Sequence, residues 1–580
     1  MRRLSLLLPF LLLVGGCAST QHVMTAEEAV AWAKKEATIR GQAKDYSQFA
    51  IARYASLTED PEAAAQNYSR IARSTPSDSN LVERAVFSAL LVGETEHAIK
   101  LAKRLSPEDI AQSQLPRLTL AIDALSRDRP DEAMTHLKGS WDNTFHASIA
   151  HSIGAWSMLE SHPVSAIALH QTIATNDPVL SSIARTSAAI MKTQTGDLAG
   201  AEKDLDALWR ENARLATGVE VEARVLAKTG RSDLALKRIR DFRRDVGRNP
   251  ALTVLASQIE NDAAIDLPKH SADEGVALYL YTATAALADG TDSDLPGVYF
   301  ALALHLDPNL DAARTLWAES LDKAGRRDDA IAILNDVPKS SIFHTNAQGQ
   351  LAWVLRRQER NEEALKLAQD TLDRTDDRNI QIQLADLLQS LGEDGKAEAI
   401  FTEIINADEA EGTFDWRIYF ARGAARERLG YWPPAENDLT TALGLQPLNP
   451  TILNYLGYSW IDRGINLDEG LELIEKALKL APRNGAVMDS LGWAHYKLRN
   501  YDRAVYYLER AIELAPQDPD ILDHLGDAYW QVGRYTEASY QWDRALLYSL
   551  DAERTDMIRR KLDSGTAMLT TADPMALKTP

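Results

Sequence analysis

The side chains able to do chemistry are few and scattered. Cys17 is the one thiol in 580 residues, so no intramolecular disulfide can form. Five histidines (His136, His146, His151, His162 and His170) fall close together. A zinc-binding helix would place two of them four residues apart on one face. None of these pairs has that spacing, so they read as polar or interhelical side chains. Asp289-Gly290-Thr291-Asp292-Ser293-Asp294 is acidic but lacks the order of a calcium loop and its distal glutamate; it reads as an exposed turn. No phosphate-binding glycine loop, dinucleotide fingerprint, nucleophile elbow or paired-histidine zinc motif occurs. The expectation is no catalytic residue, no metal and no cofactor.

The setting of Cys17 is more specific. Met1-Arg2-Arg3 precedes the apolar run LSLLLPFLLLV, and Val14-Gly15-Gly16 precedes the cysteine. A basic start, a short apolar stretch and small residues make a cleavable leader. The apolar run is well short of the ~20 residues that span a bilayer. The segment Val14-Gly15-Gly16-Cys17 resembles the lipobox of bacterial lipoproteins. That resemblance implies removal of residues 1–16 and acylation of Cys17, with more than one chain for stable anchoring. Residue 18 is alanine and not aspartate, which by resemblance to the enterobacterial sorting rule implies the outer membrane. Residues 17–26 then form the lipidated cysteine and a polar tether. No later stretch of ~20 apolar residues follows, so the body is expected to face the periplasm, touching the membrane through the anchor alone.

What would such a body be built from? Leu491-Gly492 recurs at Leu525-Gly526, Ala504 at Ala538 and Ala511 at Ala545, each shifted by 34. Leu456-Gly457, Gly470, Ala477 and Pro482 fill the same slots one repeat earlier, and Pro447, Pro482 and Pro516 punctuate the ends. This pattern resembles the tetratricopeptide repeat family. In that pattern each unit is a helix–turn–helix hairpin, small residues sit where helices cross closely, and proline ends the second helix because it donates no N–H. One hairpin cannot bury its apolar face, so hairpins must stack.

The small residue can be followed upstream as Ala64, Ala98, Ala133, Ala166, Ala201, Ala235, Ala330, Ala364, Ala397, Ala435, Gly470, Ala504 and Ala538. Gly93, Gly196, Gly230, Gly325 and Gly392 each lie five residues before their alanine, at the expected turn. The 95-residue gap between Ala235 and Ala330 leaves room for two repeats and an insertion, and Tyr299 to Pro308 reads as a second helix. The fold class is therefore all-α, a superhelical solenoid of about 14–15 hairpins. Residues 27–243 form an N-terminal helix and repeat half, with 27–57 as the leading helix. Residues 244–296 break the period and read as an irregular seam. Residues 297–550 form the C-terminal half, 551–563 a polar capping helix, and 564–580 a disordered tail.

The composition, 45% hydrophobic and 25% charged, is that of a folded soluble body. A net charge of -21 disfavours nucleic acid and anionic headgroups. Function then rests on a surface that binds proteins. In the repeat family the inner face of the first helices lines a groove for peptides or partner helices. Carried onto the best repeats, those positions are Asn454, Tyr458, Asp489, Trp493, Tyr496, Asp523, Asp527 and Trp530. Aspartates beside aromatics suit a basic or amphipathic segment; the other reading is that the aromatics pack between repeats.

The chain as a whole resembles the lipoprotein adaptors of periplasmic carboxyl-terminal processing proteases. That implies a non-catalytic adaptor that binds both a protease and substrates such as cell-wall hydrolases, with the N-terminal helix region as a protease dock. The alternative is a structural scaffold of an envelope assembly or exopolysaccharide export machine. The anchor itself gives the first test. Labelled palmitate is expected to enter the wild-type chain and to be absent from Cys17→Ser, which should leave the membrane fraction. Equal labelling of the two would remove the anchor from the account.

Overall fold

A computed structural model describes residues 26–571, apart from 59, 76, 173–176, 248, 289–294, 375–377, 411, 550 and 551. The leader, Cys17, the tether before Ala26 and the acidic turn at 289–294 therefore lie outside the described residues. Among the described residues every regular element is a helix, from Ala26–Leu57 to Ala552–Thr571.

The sequence fixes each hairpin in three steps. A polar residue opens the first helix: Asn449, Asn484 and Asp518 accept backbone N–H bonds from Ile452, Val487 and Ile521, meeting donors that a helix start leaves unpaired. The turn needs one left-handed residue. Gly93, Gly196, Gly230, Gly325 and Gly392 supply it with φ from 78° to 86°, at no Cβ cost. Asp128, Glu359 and Arg499 hold the same slot without glycine, at φ 56°, 62° and 62°. The second helix then brings its small residue against the first. Ala98, Ala133, Ala166, Ala201, Ala235, Ala330, Ala364, Ala397, Ala435, Ala504 and Ala538 are all fully buried. The Leu-Gly positions face the same contact. A Cβ on Gly492 would lie 2.6 Å from Leu508, and one on Gly526 2.4 Å from the Trp542 ring. Helices end at Leu445, Leu480 and Leu514, two residues before Pro447, Pro482 and Pro516.

The chain divides into two compact units, residues 1–350 and 351–580. The break thus falls beyond the span 244–296 that the sequence suggests as a seam, and that span lies inside the first unit. The reason is in the 95-residue gap. It holds the single helix Pro250–Glu260, then a hairpin of Ala272–Ala288 and Leu295–Leu306, before regular repeats resume at Asp311–Lys323. The hairpin is apolar on every side: Val276, Ala277, Leu280, Ala283, Val298, Phe300, Leu302 and Ala303 are all fully buried. A helix hydrophobic all round must be covered all round. It returns across the inner helices Ser79–Leu91, Leu115–Leu125, Thr144–Met158 and Pro178–Gln194.

Polar pins hold it there. His146 Nε2 and Tyr299 Oη lie 2.7 Å apart, Thr217 and Thr282 hydroxyls 3.1 Å, and Ser126 Oγ and His305 Nε2 3.2 Å. Gly275 lets the buried Trp156 ring lie on the hairpin backbone, where a Cβ would come within 2.2 Å. Helix Asp311–Lys323 then closes the first unit. Its Trp317 ring would meet a Cβ on Gly93 at 3.2 Å, and Arg326 donates to the Leu91 carbonyl at 3.0 Å. The first unit accordingly covers much of its own inner face.

The second unit, from Leu351, keeps the regular hairpin order to Tyr535–Tyr548 and ends in the helix Ala552–Thr571. This capping helix runs past residue 563, into the stretch 564–580 expected to be a disordered tail. No helix breaker stronger than Gly565 stands before Pro574, so the helix has no local reason to stop sooner. Residues 572–580 lie outside the described residues.

Ala504 is fully buried at its crossing. Ala504→Leu should destabilise the second unit by about 1–3 kcal/mol through overpacking. Urea unfolding followed by hydrogen exchange in residues 485–545 reads this, and unchanged protection there would show that the crossing is not close-packed.

Candidate functional site

The sequence-derived inner positions all lie on three first helices of the second unit, Pro450–Arg463, Gly485–Lys497 and Pro519–Gln531. Tyr458, Trp493 and Asp527 take the same place in successive repeats, as do Asn454, Asp489 and Asp523. The structure brings most of them into one connected row, though largely through partners that sequence reasoning passed over.

Asp489 is buried and pairs with His524 Nδ1 at 2.9 Å. The His524 ring stacks on Trp493, with centroids 4.1 Å apart and planes 17° apart, and Trp493 stacks in turn on Tyr496 at 4.7 Å and 6°. Lys497 Nζ lies 5.5 Å from the Trp493 ring and 3.1 Å from Asp462. Burial alone would lower the His524 pKa, but the Asp489 carboxylate outweighs it, helped by Asp523 and Asp527, and holds the ring above its ordinary value. The ring is thus sandwiched between a carboxylate and an indole, both of which favour its charged form.

One repeat on, Asp523 and Asp527 hold the same ammonium. Lys561 of the capping helix donates to them at 2.7 and 2.8 Å. Burial pushes the Asp527 carboxyl up, against the pull of Lys561. Lys561 itself is lowered by burial but raised more by the two carboxylates. Trp542 Nε1 also donates to Asp527 at 3.2 Å, and Arg554 pairs with Asp520. Trp530 is spent on packing, 4.6 Å from Tyr535 and 5.6 Å from Trp542. Tyr458 is pushed up, first by burial and then by the Asp462, Asp489 and Asp520 carboxylates. Asn454 Oδ1 is buried and has no hydrogen-bond partner among the described residues.

The aspartates expected to greet a basic segment are thus already matched by His524 and Lys561. Both were legible in principle: Lys561 lies 34 residues after Asp527 and His524 lies 35 after Asp489, so extending the repeat register would have found them. Earlier inner positions were missed altogether. Asp386, on helix Arg378–Ser390, is pushed up to about 6 by burial.

A second surface feature lies in the first unit. On helix Ala26–Leu57, Tyr46, Tyr54 and Leu57 are 77%, 69% and 73% exposed. Their spacing of eight and three residues puts them on one face. The histidines noted in the sequence do not meet at a metal-binding group among the described residues. His146 bonds Tyr299, His170 lies 3.2 Å from Ser187 Oγ, and His151 lies 2.7 Å from the Ala147 carbonyl. Burial pushes His146 down to about 4 and His170 down to about 3.

Comparison with known proteins agrees with this hairpin order. Residues 464–519 and 490–554 match one tetratricopeptide repeat model, and 345–375 match another. These stretches are tetratricopeptide repeats. A TPR repeat-containing protein of Pseudomonas aeruginosa, PA4667, is 36% identical over 83 residues, a match covering 14% of this chain and 14% of that protein. Among solved structures, a chain of the APC/C hetero-tetramer Cut9-Hcn1 is 14% identical, the match covers 90% of this chain and 98% of that one, and the TM-score is 0.40. Yeast Tom70 is 12% identical, covers 92% and 98%, and gives 0.33. A tetratricopeptide repeat protein from Parabacteroides merdae is 16% identical, covers 44% and 97%, and gives 0.37. Tetratricopeptide repeats bind proteins, which makes a protein-interaction scaffold the coarse function.

The raised His524 has a defined sign. Its folded-state value lies above the unfolded one, so its contribution is fully present below about 6.5 and is lost as pH rises through the folded value. Hydrogen exchange in residues 485–531 should therefore speed up as pH is raised from about 6 to 8, after correction for intrinsic rates. His524→Gln should flatten that slope; an unaltered slope would mean that the Asp489–His524 pair does not titrate there.

Proposed function

We propose that this protein is a non-catalytic, lipid-anchored adaptor at the outer membrane, facing the periplasm. Its proposed task is to bring substrates, cell-wall hydrolases among them, to a carboxyl-terminal processing protease. The observation that carries the reading is the exposed apolar row on helix Ala26–Leu57. Tyr46, Tyr54 and Leu57 stand almost wholly in solvent, and large exposed aromatics in a row mark a protein contact. The row lies roughly 30 to 47 Å along the helix that follows the tether from Cys17, so an anchored chain would hold it within that reach of the membrane.

Two further features support a binding role. Where tetratricopeptide repeats are matched they offer an inner face with aromatics, here Trp493 and Tyr496. Several titratable groups of the interior, though not Asp386, are tied into pairs and pins: His146 to Tyr299, Asp489 to His524, and Lys561 to two aspartates. A general acid or base needs a free group near its working pH.

Capture from an envelope extract tests the reading. The intact chain, solubilised in mild detergent, should retain a processing protease and cell-wall hydrolases. A variant with Tyr46→Ala, Tyr54→Ala and Leu57→Ala should retain at least ten-fold less protease while keeping its helical content. Recovery of export or assembly components in place of a protease would support the scaffold reading and end this one.

A further inference from the structure

The returning hairpin leaves one part of the first unit's inner face uncovered. Between helices Ala26–Leu57, Pro61–Ser74, Ser79–Leu91, Thr144–Met158 and the start of Leu295–Leu306 there is a cavity of about 600 Å³. That volume lies in the range of ligand-binding clefts and would take two or three large side chains.

Its walls are apolar. Tyr68, Phe87, Leu91, Leu115 and Tyr299 line it. Its polar lining is nearly all committed to the protein's own groups. Asp60 and Asn143 accept backbone N–H bonds as helix caps, and Glu83 accepts from Leu115 N at 3.1 Å. Ser56 donates to the Ala52 carbonyl, and His146 and Tyr299 bond each other. Burial keeps His146 neutral at pH 7. An occupant therefore gains little by bringing polar groups inside, since it would find few free partners. At the exposed rim stands Arg84, which makes no ion pair among the described residues.

The wall formed by Leu295 and Tyr299 belongs to the hairpin that fills the rest of this face. The cavity is thus continuous with a surface already shaped to hold an apolar polypeptide helix rich in tyrosine, phenylalanine and leucine. We propose that this cavity binds a partner polypeptide segment that inserts two or three large apolar side chains and sets an adjacent carboxylate on Arg84. The segment extends the row begun by the chain's own hairpin. This site is separate from the exposed row on helix Ala26–Leu57, and it depends neither on the anchor nor on the identity of a protease.

The test uses the full chain and a fluorescein-labelled octapeptide of leucine, tyrosine and phenylalanine ending in glutamate, read by polarisation. Saturable binding is expected. Arg84→Glu should weaken it at least ten-fold and should favour a counterpart peptide ending in lysine. Ser56→Trp, at an exposed lining position, should crowd the cavity and weaken both peptides at least ten-fold. Arg84 is itself exposed, so its variant remains informative if the tryptophan variant misfolds. Absence of saturable binding would overturn the proposal, as would wild-type affinity in a folded Arg84→Glu. Binding of decanoate in place of the peptide would also overturn it, by making the site one for lipid carboxylates.

Discussion

The structure depends on one steric constraint: where two helices of a hairpin cross, one side chain must be little more than a methyl group. Ala98, Ala133, Ala166, Ala201, Ala235, Ala330, Ala364, Ala397, Ala435, Ala504 and Ala538 meet it with no exposed surface at all. Each such crossing closes one hairpin, and a closed hairpin still has apolar faces that water would cover. Stacking on the next removes them, so stability accrues between neighbours and not around a single centre. The left-handed turn residue five positions earlier serves the same end, because it sets how soon the second helix can double back. Asp128, Glu359 and Arg499 show that the stack tolerates a non-glycine there, where the cost is of order 1 kcal/mol.

The two units meet the demands of their inner faces differently. In the first unit that face is covered by more of the chain, the hairpin Ala272–Ala288 and Leu295–Leu306, with Trp156 lying on Gly275 and Trp317 close to Gly93 and Gly297. Covering an apolar face with a second apolar face is favourable at roughly 25 cal/mol per Å², and among the described residues it leaves open the cavity beside Tyr68 and Tyr299 and a smaller one beside Thr217 and Leu278. In the second unit the inner positions are polar and aromatic, and are satisfied one repeat at a time. The Asp489–His524 pair, the Trp493 stack and the Lys561 bridge each join neighbouring helices. The repeat geometry is shared; the chemistry of the inner face is what distinguishes the units.

Much of this was legible in the sequence, and the reason is periodicity. The small residue, the turn glycine and the terminal proline recur at fixed spacing, so the hairpins could be placed from Ala64 to Ala538. The helix ending at Leu306 was recognisable too, from Tyr299 to Pro308. What periodicity cannot convey is where an aperiodic segment goes. The hairpin in the 95-residue gap has no repeat register, and its target, the inner helices of the first repeats, lies more than a hundred residues away in sequence. The unit boundary moved for that reason. The inner face of the last repeats was legible in its positions but not in its partners. Asp523 and Asp527 look free until the capping helix is given the next register, which places Lys561 beside both.

That register governs more than one ion pair. In the second unit Asp394 pairs with Arg428, Glu427 with Arg463, Asp462 with Lys497, Asp520 with Arg554 and Asp527 with Lys561. Each partner lies 34 to 36 residues from the other; Asp394 opens the second helix Asp394–Ala410 and reaches the next first helix, and the other four pairs start from a first helix and reach the first helix, or the capping helix, one repeat on. Most of these pairs are partly exposed, and such a pair adds at most about 1 kcal/mol. Stability is not what they supply in quantity. A slip by a helical turn would drive larger side chains into the crossings that alanine now fills, and it would part these charges as well. A charge that finds its partner in only one alignment penalises the slipped state, where both members would be left beside the wrong neighbour. On a chain with a net charge of -21 the cations are outnumbered, and several of them sit where neighbouring helices meet. Interior packing therefore sets how strongly the hairpins adhere and, together with the row of charge pairs, where.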